Sequence, residues 1–152
     1  MREIARAWLP VVLWMALMFF GSTDLMSAEH TSRFLTPFLR WVNPDISVEA
    51  ILRAHFFVRK AAHVTEYAIL AALLFRGWRS CFSVRGAVLA TLGTAMIFAA
   101  GDEFHQTFVA SRTGALGDVM IDCSAALLSV LICWLFGIWH RNSRHENGVV
   151  RA

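Results

Sequence analysis

Three groups of polar side chains recur at spacings that could do chemistry: Arg59, Lys60, His63, Glu66 and Tyr67; then Asp102, Glu103 and Gln106; then Arg112, Asp118 and Asp122. In the first group the separations are mostly three and four residues, which on an α-helix puts the side chains along one face. Such a set supports two kinds of work. A histidine, a phenol and carboxylates can pass protons, and close carboxylates serve acid/base roles because one holds its proton more tightly than it would alone. Arginine and lysine can instead grip an anion, arginine with a planar fork that matches phosphate or carboxylate.

The rest of the chain explains why these groups are conspicuous. Of 152 residues 57% are hydrophobic and only 16% charged, far to the apolar side of an ordinary soluble domain. Charged residues are nearly absent from residues 8–21, 61–75, 86–101 and 119–139. Each stretch approaches or reaches the roughly 20 residues a helix needs to cross about 30 Å of hydrocarbon. The expected fold is therefore an all-α integral membrane protein, a four-helix transmembrane bundle.

An isoelectric point near 9.1 does not make this a nucleic-acid protein. The arginines flank apolar segments and form no basic helix interleaved with aromatic side chains, so no nucleic-acid partner is expected. Cys81 falls in a short arginine-rich loop, and Cys123 and Cys133 lie ten residues apart on one helix, which gives neither a disulfide framework nor a cysteine metal site. His63, Glu66, Asp102, Glu103, Asp118 and Asp122 are all possible metal ligands, but no HExxH or other tight motif joins them; no metal and no other cofactor is expected. The first apolar run resembles a secretory signal, with Arg2 and Arg6 ahead of it and Met26-Ser27-Ala28 behind, yet Met26 suits a small-residue cleavage site poorly. The run is expected to be retained as the first helix.

That helix is expected over about residues 6–22, with Pro10 tolerated near its start, where the first backbone amides have no intrahelical partner. Residues 30–42 place Phe34, Leu35, Phe38, Leu39 and Trp41 among Arg33 and Arg40, a pattern for a short interfacial helix between helices one and two. Asn43-Pro44-Asp45 breaks it. Ser47 is a suitable N-cap for a helix that begins at Val48 and runs unbroken to Phe75, entering the bilayer near Arg59. A basic turn with Arg76, Arg79 and Arg85 leads to a third span over about residues 86–104 and a fourth over about 116–139. Residues 1–140 form one transmembrane domain, and a polar, frayed tail occupies 141–152.

Four spans would put both termini and the loop of Arg76, Arg79 and Arg85 on one side, gathering eight of the fourteen lysines and arginines there. The positive-inside rule then makes the termini cytoplasmic in a bacterial cytoplasmic membrane. Nine of the eleven acidic residues fall on the other, outer side, together with all three polar groups. An ionisable group in hydrocarbon costs at least about 2.5 to 3.5 kcal/mol, so His63, Glu66 and Tyr67 must turn toward partners. The partners within reach are Asp102, Glu103, Gln106, Arg112, Asp118 and Asp122, which alternation of the spans returns to the same face.

Read in order, the pattern is Arg59-Lys60-x-x-His63-x-x-Glu66-Tyr67, then Asp102-Glu103-x-x-Gln106-x-Phe108-x-x-x-Arg112, then Asp118-x-x-x-Asp122. This resembles the VanZ-like family of bacterial membrane proteins, named for a protein associated with resistance to the glycopeptide teicoplanin. The resemblance covers about residues 59–129 and rests on the three groups in combination. The sequence departs from the family pattern in having Ala110-Ser111 where a Pro-Gly pair often precedes the arginine, and Ala125 and Ser129 where glycines are usual. Small residues still permit close helix packing. The resemblance implies a cell-envelope setting and a link to glycopeptide susceptibility; it supplies no reaction.

Several roles remain open for the cluster. Arg59, Lys60 and Arg112 could take the anionic head group of a membrane lipid or a lipid-linked envelope precursor, with Glu103, His63 and Gln106 orienting it and Asp118 and Asp122 completing the pocket. The same residues support a hydrolase or transferase in which Glu103 or Asp102 is a general base and His63 or Tyr67, with Glu66 nearby, a proton partner. A polar seam that only fixes helix register in a partner subunit or homo-oligomer is the third reading. A transporter fits less well, because four short spans show no inverted repeat.

Overall fold

A computed structural model describes residues 2–21, 28–108 and 116–149. Among them there are five α-helices and no strand: α1 Arg2–Gly21, α2 Ala28–Val42, α3 Val48–Trp78, α4 Val84–Gln106 and α5 Leu116–Val149. The all-α expectation therefore holds.

The breaks follow local chemistry. After α2 the Asn43 side chain accepts from the Asp45 amide at 3.2 Å, a turn that competes with helix, and Pro44 has no amide hydrogen to extend one. Ser47 then caps α3 by accepting from the Ala50 amide at 3.2 Å, and Ser83 caps α4 by accepting from Gly86 at 3.3 Å. α3 thus starts at Val48 as expected and runs 31 residues, about 46 Å.

Among the described residues three segments are long and apolar enough to cross a membrane: Ile4–Gly21, Val84–His105 and Gly117–Gly137. Four were expected. The missing one is α3, whose Arg59, Lys60, His63 and Glu66 interrupt its apolar run. Two helix bounds also differ from expectation. α1 begins at Arg2, which puts Pro10 inside the helix and removes the amide that would have bonded the Arg6 carbonyl. The Arg76 guanidinium from the end of α3 donates to that carbonyl at 3.5 Å and to the Ala7 carbonyl at 3.4 Å. α5 continues past residue 139 to Val149, because its polar extension holds no proline and no glycine before Gly148.

α3 is the hub, packed against all four other helices. It runs antiparallel to α1: Trp8 meets Trp78 edge to face at 4.6 Å, and the Trp14 indole donates to the Glu66 carbonyl at 3.0 Å. A Cβ at Gly77 would meet the Trp8 ring at 3.4 Å, ordinary van der Waals contact. At the other end of α1, Phe19 packs on the His105 ring at 5.0 Å, so α1 and α4 end at the same level. α3 and α5 run parallel, as pairs of steadily rising number link them: Lys60 with Asp118, His63 with Asp122, and Ser129 donating to the Ala68 carbonyl at 2.6 Å.

The core that fixes this register is small-residue packing around a few large side chains. Tyr67, Leu70, Ala71 and Leu74 of α3, Ala95 and Ala99 of α4, and Ala125, Ala126 and Val130 of α5 are buried together. Alanines let the backbones approach closely. Ala126 lies on the same face of α5 as Asp122 and Ser129, and no part of it is exposed. Ala126→Leu is expected to force α5 from α3 and cost about 1–3 kcal/mol, read as a lower melting temperature in detergent. The same probe should find Leu127→Ala, at an exposed neighbouring position, close to wild type.

Candidate functional site

The polar face of α3 meets α5 at the end of the bundle where α1 and α4 terminate. Lys60, the first member to reach the packed region, donates from Nζ to Asp118 Oδ1. Asp118 is in the first turn of α5, where a carboxylate also answers the exposed amides of a helix start. Phe56 lies one turn earlier, with its ring centre 5.3 Å from the same ammonium. One turn further along, His63 Nδ1 stands 3.4 Å from Asp122 Oδ1, an ion-pair separation longer than a good hydrogen bond.

Burial makes these contacts consequential. Asp122 is 1% exposed, His63 and Glu103 7%, Asp118 8% and Tyr67 not at all. The other carboxylates crowd the same volume. Glu103 and Asp122 act electrostatically on Lys60, Glu66 and Asp102 act on His63, and all of Asp102, Asp122, Glu66 and Glu103 act on Tyr67. α3, α4 and α5 thus bring together Lys60, His63, Glu66, Tyr67, Asp102, Glu103, Asp118 and Asp122. Arg59 is half-buried beside Lys60 and acts on it too. Gln106 closes α4, and Arg112 lies outside the described residues.

Several buried polar atoms in this cluster keep unused hydrogen-bonding capacity, those of Tyr67 and Asp122 among them. Neither Tyr67 Oη nor Asp122 Oδ2 has a hydrogen-bond partner among the described residues, although both are shut away from solvent. A buried polar atom left in this state costs about 1–3 kcal/mol, more when it is charged, and such atoms ask for a proton, a water molecule or a ligand. Chemically the site can hold a proton on its Asp122–His63 pair, present carboxylate oxygens to donors, and offer Arg59 to an anion. Lys60 is engaged with Asp118. Among the described residues no three of His, Cys, Asp and Glu stand together as a metal centre would require.

Other residues joined the structure unannounced. Trp14 and Ser129 tie α1 and α5 to backbone carbonyls of α3 within two residues of one another, at Glu66 and Ala68. Thr91 is fully buried on α4 with its hydroxyl unpaired among the described residues. A lone tryptophan or threonine in an apolar run carries no spacing signal, so only packing reveals these. His55, without a partner in the sequence pattern, bonds Thr36 of α2 at 3.1 Å, and His105 packs against Phe19.

A helical bundle with three helices fit to cross a membrane and a buried charged cluster at one end is the architecture of a membrane protein with an ionisable site. The chain belongs to the VanZ/LLP1 family, whose profile matches residues 7–137. That match takes in α1 and α2 as well as the three polar groups. Comparisons with curated proteins and with solved structures give no match.

The Lys60–Asp118 pair makes a direct test of the cluster. Lys60→Met leaves a buried carboxylate unanswered and is expected to cost about 1–3 kcal/mol. Lys60→Met combined with Asp118→Leu removes both charges and should recover most of that loss, since an apolar pair of similar volume commonly matches a buried ion pair. Thermal unfolding of the purified single and double variants in one detergent checks the cycle; additive losses would show that the two side chains do not interact.

Proposed function

We propose that this protein is a multi-pass protein of the bacterial cytoplasmic membrane, with cytoplasmic termini, that binds the polar head group of an envelope amphiphile in its charged cluster. The amphiphile is a membrane lipid or a lipid-linked envelope precursor whose tail stays in the bilayer. On this reading α3 is the fourth span, entering near Arg59, and the cluster opens toward the outer leaflet. The observation that carries it is the pair of buried, unsatisfied groups, Tyr67 Oη and Asp122 Oδ2, among charged residues at one end of a bundle built for lipid. Groups so costly to keep in a membrane protein are held for a task.

Arg59 and Arg112 take the anionic part of the head group, while Glu103, His63 and Gln106 orient it. Lys60 contributes by holding Asp118 and, through it, the start of α5. A protein that sequesters or alters the display of such an amphiphile would shift susceptibility to glycopeptides that act at the same surface. Mass spectrometry of lipids co-purified with wild type, Arg112→Ala and Asp122→Asn tests the binding. One lipid class enriched with wild type and depleted at least several-fold in both variants is expected; identical lipid profiles at equal protein yield would refute the reading.

The His63–Asp122 pair favours one further possibility, a membrane hydrolase or transferase acting on the same lipid. A carboxylate that holds a histidine ring in one orientation equips it to move a proton, and Glu103 or Asp102 of α4 would serve as the base. Glu103→Gln is then expected to retain the co-purified lipid while losing product formation from it. Equal product from wild type and the variant would remove the catalytic reading and leave binding intact.

A further inference from the structure

α2 and the first three turns of α3 form an arm outside the packed core, and its surface does not resemble that of a water-facing hairpin. α2 turns Leu35, Thr36 and Leu39 inward, half-buried, while His55 answers Thr36 from α3. Its opposite side carries Phe34, Phe38 and Trp41, spaced as one helical stripe, and Phe34 and Trp41 are 81% and 80% exposed. α3 continues the pattern, since Val48, Leu52 and Phe56 make a second exposed stripe with Phe57 beside it. These residues precede Lys60 by roughly 5 to 18 Å of helix, so they lie beyond the level where Lys60 meets Asp118 in the first turn of α5.

Basic residues accompany both stripes. Arg33 and Arg40 are exposed on α2, while Arg53 is exposed on α3 and pairs with Glu49 at 3.3 Å. Aromatic side chains with flanking arginines suit the boundary between hydrocarbon and head groups, where rings enter the acyl edge and guanidinium groups reach phosphates. The place agrees with the chemistry. The apolar segments of α1 and α4 end, and that of α5 begins, near one level, and the arm departs from the bundle there.

We infer that the two-helix arm, residues 28–58, docks on an anionic bilayer surface on the same side as the polar cluster, with Phe34, Phe38, Trp41, Leu52 and Phe56 in the acyl edge and Arg33 and Arg40 at the lipid phosphates. The device is larger than the amphipathic helix of residues 30–42 alone, because α3 supplies the second stripe. It is independent of what the cluster binds.

The test uses the full chain with Cys81, Cys123 and Cys133 changed to serine, all three being free thiols. Single cysteines placed by Phe38→Cys, Leu52→Cys and Asn43→Cys carry an environment-sensitive fluorophore, in vesicles of phosphatidylcholine with or without phosphatidylglycerol. With phosphatidylglycerol, labels at 38 and 52 should be quenched several-fold more by lipids brominated near the head group than by aqueous iodide, and the label at 43, in the exposed turn, by iodide. Arg33→Glu with Arg40→Glu should weaken the lipid quenching at 38 in anionic vesicles and leave it nearly unchanged in phosphatidylcholine. Iodide quenching at all three positions would overturn the inference, as would maximal quenching by lipids brominated at the chain terminus, which means burial at the bilayer centre. Cross-linking of the Leu52→Cys variant between copies, unaffected by dilution with lipid, would assign the stripe to a second copy and overturn it equally.

Discussion

Hydrocarbon cannot solvate a charge, and the consequences of that fact are concentrated on one face of α3. Lys60, His63, Glu66 and Tyr67 would each be unfavourable facing lipid, so the arrangement of the other helices is largely a set of answers to them. α5 answers with Asp118 and Asp122, four residues apart, matching the three-residue step from Lys60 to His63 closely enough to meet both. α4 supplies Asp102 and Glu103 from its last turns. Because α3 and α5 must be parallel for these pairs to form in sequence, α4 has to return the chain between them, and the three-helix order follows.

The same constraint explains why α3, which touches every other helix, is not apolar enough to cross a membrane by composition alone. α1, α4 and α5 present much of their surface outward and need an apolar exterior, which their leucines, isoleucines and phenylalanines provide. α3 touches all four other helices, and its backbone is held as well as its side chains: Trp14 reaches the Glu66 carbonyl and Ser129 the Ala68 carbonyl. A helix in that position exchanges apolar surface for polar partners. Counting apolar residues finds three helices and passes over α3, the helix that carries Arg59, Lys60, His63 and Glu66.

Much of this was legible in the residues. Three- and four-residue spacing from Arg59 to Tyr67 declared one polar face, Asn43-Pro44-Asp45 and Ser47 declared where α3 begins, and alternation of apolar runs returned the acidic groups to the same end. The pairing was not legible. Five carboxylates were available to Lys60 and His63, and which of them arrived was decided by the closeness of α3 and α5, hence by alanines such as Ala126, whose type carries no sign of its partner. The bounds of α1 escaped for a different reason. Pro10 suits a place near a helix start, and the guanidinium of Arg76, sixty-six residues later, donates to the Arg6 carbonyl whose amide partner the proline removes.

Burial also redistributes the roles that residue types alone assign. Lys60 and Arg59 are adjacent cations and look equivalent as anion-binding groups, but Lys60 spends its charge on Asp118 while Arg59 stands half-buried at the edge. A guanidinium at the rim can reach a phosphate and keep part of its hydration; an ammonium inside an ion pair cannot turn to a ligand without stranding a carboxylate. The cluster therefore separates into an inner part that fixes α5 on α3 and an outer part with groups to spare. Asp122 belongs to both, since one oxygen faces His63 and the other has no donor among the described residues. Asp122 also shares a face of α5 with Ala126, so the carboxylate beside His63 stands on the same contact that packs α5 against α3.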